Sequence, residues 1–119
     1  MSENASSRFR INSTRDTHVI EIHLPANIEA LEFDVINEQL NAEVTARGAA
    51  RWIVDLAHAE YIGSALLGML INLRTRIRST RGRLVLCELT PPLERVIQTS
   101  SMERLFTIVA SRDEACALG

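Results

Sequence analysis

The chain is short of the residues that several functions require. Its two cysteines, Cys87 and Cys116, form no C-x-x-C pair, and its three histidines, His18, His23 and His58, are scattered, so no metal-ligand spacing exists. No metal and no cofactor are expected. Five aromatic residues leave little with which to stack bases, and a net charge of −2 gives no bulk attraction to nucleic acid or to an anionic membrane. The longest apolar window, Ile62 to Leu73, falls far short of the roughly 20 residues that span a bilayer and is interrupted by Ser64 and Asn72. The N-terminus has no basic region followed by an apolar stretch, so no export is expected. With only two cysteines and no disulfide framework to read from them, a reduced, cytoplasmic setting is expected. There is no internal repeat and no low-complexity segment.

What is present is an ordinary globular composition, 46% hydrophobic and 24% charged, of a length that makes one core. Residues 1–7 are polar, rich in Ser and Asn, and read as a loose tail; residues 8–119 read as the domain. Phe9 to Asn12 and Val19 to Leu24 alternate apolar with polar residues as half-buried strands do, with Arg15-Asp16-Thr17 as the turn of a hairpin. Phe33, Ile36, Leu40 and Val44 then recur at helical spacing, with Asp34, Asn37, Glu38 and Asn41 toward water and Gly48 as the closing cap.

The centre of the chain is the run Trp52 to Leu56, too brief for a helix and rich in β-branched residues, followed by Leu66, Leu70, Leu73 and Ile77 on one helical face. Between them lies Glu60-Tyr61-Ile62-Gly63-Ser64, where Ser64 is placed to cap the helix. Gly82 is expected to close this helix, and Arg83 to Leu89 to form a buried strand. Thr90-Pro91-Pro92 opens a third helix with Leu93, Val96 and Ile97 inward; Phe106 to Val109 is a last strand; Ser111 and Glu114 have the spacing of a capping box. A hairpin followed by alternating strands and helices predicts an α/β fold with a mixed, largely parallel sheet of about five strands and about four helices. Trp52, Ile53, Val54, Leu66, Leu70, Leu73, Val85 and Leu86 are the candidate core.

The order Asp55-Leu56, then Tyr61-Ile62-Gly63-Ser64-Ala65-Leu66-Leu67-Gly68, then Gly82-Arg83-Leu84-Val85-Leu86-Cys87 resembles the STAS family, and within it the small bacterial anti-sigma-factor antagonists. The resemblance runs from about Arg8 to Leu118. It implies a protein that acts by binding and partner switching in transcription regulation, not by catalysis, with a serine kinase or anti-sigma factor as partner and a monomer or weak dimer as its state. It also implies that Ser64 is the phosphorylated serine. The implied contact surface is Asn27, Tyr61, Ile62, Gly63, Ser64, Ala65, Leu67 and Gly68. Gly63 stands where the family has Asp, Ala65 where it has a second hydroxyl, and Leu66 where it has Gly.

Other readings stand beside this one. Ser64 on sequence physics alone is a helix cap with no further role. A hydrolase nucleophile elbow would need glycines where the chain has Ile62 and Leu66. Asp55 reads as a polar end to its strand, bonded to a neighbouring loop. Arg74, Arg78 and Arg81 read as the wet side of a helix, and Gly68 as a position that lets the sheet or a partner come close. An unphosphorylated scaffold subunit of a signalling assembly, or a small-ligand or nucleotide-binding module, are the alternative functions.

Overall fold

In the computed structural model, which describes residues 8–118, the chain runs β1 (Phe9–Thr14), β2 (Thr17–Leu24), α1 (Ala30–Arg47), β3 (Arg51–Ala59), α2 (Ser64–Ser79), β4 (Arg83–Cys87), α3 (Pro91–Thr99), β5 (Thr107–Ile108) and α4 (Arg112–Ala117). A short 3-10 turn, Met102–Arg104, leads into β5. The tail expected over residues 1–7 lies outside the described residues. The strands form one sheet in the order β1-β2-β3-β4-β5, with β1 antiparallel to β2 and every later pair parallel. This is the mixed, largely parallel sheet with four helices that the pattern predicts. Parallel neighbours need crossovers, and right-handed crossovers along a sheet that advances strand by strand place α1 and α2 on one face. There they pack on each other, while α4 lies against β3 and β4.

Alternation along the strands divides the core. Trp52, Val54 and Leu86 point toward Phe33, Ile36, Leu40 and Val44 of α1 and Leu66, Leu70, Leu73 and Ile77 of α2. Ile53 and Val85 point the other way, into a smaller cluster with Val19, Cys87 and Ala115. All eight candidate core residues are buried.

Several boundaries move, each for a local reason. β3 continues to Ala59, past the point where the apolar run stops, with one extra residue against β2: Glu21 pairs with Asp55 and His23 with His58. Such a bulge interrupts the ladder locally, and pairing resumes beyond it as far as Leu24 and Ala59. β4 stops at Cys87, because Glu88 takes a positive φ of 58°. β5 is confined to Thr107–Ile108, with Phe106 and Val109 flanking it. Gly48 closes α1 at φ 75°, as expected. Gly82 does not close α2 in the expected way. The helix ends at Ser79, Arg81 takes the left-handed conformation at φ 66°, and Gly82 is needed because a Cβ there would lie 2.7 Å from the Ala50 carbonyl oxygen. Asn37 and Asn41 do not face water fully either; both are half-buried, Asn41 beside Asn72 and Arg76 of α2. Thr90 occupies the cap position of α3 without a side-chain bond, whereas Ser111 and Glu114 do form the capping box of α4.

Candidate functional site

The parallel register puts Leu24 at the end of β2 opposite Ala59 at the end of β3. Loops 25–29 and 60–63 therefore leave the sheet together at the carboxyl ends of its strands, where open α/β sheets place their sites. The Leu24 carbonyl accepts from the backbone N–H of both Glu60 (2.8 Å) and Tyr61 (3.2 Å), which pins the second loop. Tyr61 folds back, its ring edge-on to Phe33 of α1 with centroids 4.9 Å apart. The same ring lies over Gly63, where a Cβ would fall 2.7 Å from the phenol carbon. Tyr61, Ile62, Gly63, Leu67 and Gly68 are half-buried, and Asn27, Ser64 and Ala65 are exposed.

The pinned loop changes the role of Ser64. Gly63 stays extended (φ −166°, ψ 179°) and is itself the cap residue, its carbonyl accepting from Leu66 (3.1 Å) and Leu67 (3.3 Å). Ser64 is the first helical residue, not the cap, and no side chain caps α2. The expected capping bond is therefore absent, and the exposed hydroxyl stands at the positive end of a 16-residue helix whose first turn contains no acidic residue. An anion on that oxygen would be favoured by the helix dipole. Gly68, although half-buried, has room beside it: a Cβ there would meet nothing within 4 Å, so the sheet is not what approaches it.

Two residues that the core pattern passed over are exposed on the first turns of α1, Leu31 (76%) and Val35 (47%). Each is two positions from Phe33 and so lies on the side of the helix away from the Phe33–Tyr61 contact. Their signal was present in the sequence as an apolar pair four apart, displaced from the Phe33-Ile36-Leu40-Val44 stripe.

The remaining polar groups near the turn have structural partners. Asp55 is not at the end of its strand but beside the bulge, where one carboxylate oxygen accepts from the Ala57 N–H (3.0 Å) and the other from Arg112 of α4 (3.3 Å). Arg112 also pairs with Glu21. Hydrogen bonding to Arg112 is the main reason why the Glu21 carboxyl is held below its usual pKa. His58, the histidine nearest Ser64 in sequence, instead stacks on His23 with centroids 4.8 Å apart. The Cys87 thiol is buried and pushed up to about 12, chiefly by desolvation and next by Asp55, so it is a poor nucleophile. Among the described residues no group of three or more His, Cys, Asp or Glu could hold a metal, and no helix is long and apolar enough to cross a membrane.

Comparison with known proteins places these features in a wider set. The STAS domain family model matches residues 10–115. BtrV of Bordetella bronchiseptica, named as an anti-sigma factor antagonist, is 37% identical over 83 residues, 67% of this chain and 72% of its own length. Among solved structures, the Thermotoga maritima protein TM1081 superposes with a TM-score of 0.81 at 20% identity, covering 94% of each chain. SpoIIAA in its unphosphorylated form, an anti-sigma factor antagonist, gives 0.73 at 17% identity, over 91% of this chain and 92% of its own. At such identities the structural likeness concerns the fold alone.

Proposed function

The chain belongs to the STAS domain family, of the anti-sigma-factor-antagonist type, and from that premise we propose that it binds an anti-sigma factor or a serine kinase through the start of α2, under control of phosphorylation at Ser64. The observation that carries this reading is the open face made by Ser64, Ala65 and Gly68. Ser64 has a hydroxyl with no capping duty, and Gly68 tolerates a helix-weakening residue where nothing inside the fold makes use of it. Asn27 flanks this face, and Tyr61, Ile62 and Leu67 supply its half-buried apolar support. A phosphate on Ser64 adds about −1.5 to −2 charges and three acceptor oxygens at a helix end that accommodates them, so the domain stays folded while the docked surface becomes charged.

Intact mass after incubation with ATP and candidate kinases from the same genome should show one phosphate on the wild type and none on Ser64→Ala. Ser64→Asp should weaken partner binding by roughly a hundredfold or more where the contact excludes water, because an unpaired buried charge costs several kcal/mol and each ~1.4 kcal/mol is tenfold. Ser64→Ala should bind as the wild type does and, since Ser64 caps nothing, change stability by no more than about 0.5 kcal/mol. A second reading, an unphosphorylated scaffold subunit, is favoured by the turn itself. Gly63 and Ala65 replace the family's acid and second hydroxyl, and Tyr61 fills the space that a side chain at position 63 would need. Equal affinity of wild type and Ser64→Asp, with no phosphate gained, would overturn the switch and leave the scaffold.

A further inference from the structure

All 13 cationic side chains of this protein are arginines, and five of them, Arg74, Arg76, Arg78, Arg81 and Arg83, fall between Glu60 and Glu88, a stretch with no carboxylate. None of the five makes an ion pair among the described residues, in contrast to Arg8, Arg47 and Arg112. The helix dipole alone favours cations at the end of α2, but it does not explain how they are arranged. Arg74, Arg78 and Arg83 converge on a cavity of about 200 Å³ whose walls include Leu84, Leu105 and Phe106. Leu105 is 40% exposed there, one of the few large apolar side chains so placed. The sheet edge beside the cavity is incomplete. β5 pairs with β4 only at Val85 and Leu86, so Arg83 and Leu84 are paired to β3 alone. Ser64 lies at the other end of α2, about 15 Å from Arg74 and about 21 Å from Arg78 along the helix axis at ~1.5 Å per residue.

We infer that this cavity is a second docking surface, which receives an extended acidic segment of a partner protein. Carboxylates match the guanidinium fork, an apolar residue of the segment fits against Leu84 and Leu105, and an extended chain suits the open edge of β4. A nucleic acid would satisfy the arginines but not the rest. Phe106 is only 9% exposed and presents no face for a base, and outside this stretch carboxylates outnumber arginines. A second copy joined through the same patch by a two-fold axis would set arginine against arginine. The surface operates independently of Ser64.

The test uses the full chain and a short fluorescein-labelled peptide alternating Glu and Leu, followed by anisotropy at low and high salt and by backbone amide shifts. Saturable binding is expected, weakened at least about tenfold by Arg78→Glu/Arg83→Glu and by high salt, and unchanged by Arg10→Glu on β1. The shifts should concentrate at Leu84 and residues 105–107. Leu105→Ser, a surface change that leaves the charges in place, should also weaken binding, and thermal melts of each variant check folding. The proposal is overturned by any of four results: no saturable binding, unchanged affinity in the double reversal, equal or tighter binding of an oligothymidylate of the same charge, or concentration-dependent dimerisation that the same reversal abolishes.

Discussion

One extra residue in β3 decides what Asp55 does. The bulge opposite Glu21 and His23 takes the Ala57 N–H out of the ladder, and the Asp55 carboxylate accepts it while its second oxygen holds Arg112. Asp55→Ala should therefore cost on the order of 1–3 kcal/mol in a denaturant titration, the penalty of a stranded donor, and Asp55→Asn should cost less because it still offers Ala57 an acceptor. His18 makes a different kind of residue-scale claim. It lies against Trp52, with centroids 4.5 Å apart and Nδ1 2.7 Å from the Ser13 hydroxyl. Burial first, then Arg47, lowers its pKa below 6.5, with Asp16 opposing. The unfolded chain therefore takes up this proton at higher pH than the folded one does. The stability tied to neutral His18 is complete above about pH 6.5 and is lost as pH falls through the lowered folded value. Urea midpoints measured across that range should decline toward acid in the wild type and less steeply in His18→Gln.

At the scale of elements, α2 carries two separable demands. Its inner face, Leu66, Leu70, Leu73 and Ile77, is fully buried, so Leu70→Ala should cost about 2–5 kcal/mol. A near-zero loss would mean that the helix does not pack on this face. Its outer face should behave oppositely. Gly68→Ala meets nothing within 4 Å and removes a helix-weakening residue, so the domain should gain up to about 1 kcal/mol in thermal melts. The same variant should lose affinity for the partner, because the added methyl stands in the proposed contact. A gain in stability with unchanged binding would move that contact elsewhere.

For the whole molecule, the sheet has two unequal sides. α1 and α2 cover one, whereas the smaller cluster of Val19, Ile53, Val85 and Cys87 depends on Ala115 of α4, a six-residue helix held by its capping box and by Arg112. Ala115→Asp, which places a charge without a partner in that cluster, should expose Cys87, and a thiol reagent should then titrate two fast cysteines instead of the single exposed Cys116. The sequence by itself determined the order of elements, the two faces of the strands and the inner stripe of each long helix, because hydrophobic periodicity is a local property that burial enforces. It also marked the Ser64 turn, through residue types and a family resemblance. It did not determine the bulge in β3, the Leu24 carbonyl that holds Glu60 and Tyr61 and so moves the cap from Ser64 to Gly63, or the closeness of Ala50 that requires Gly82. Each of these depends on a group far away along the chain, and only the packed sheet brings such groups within hydrogen-bonding or steric reach.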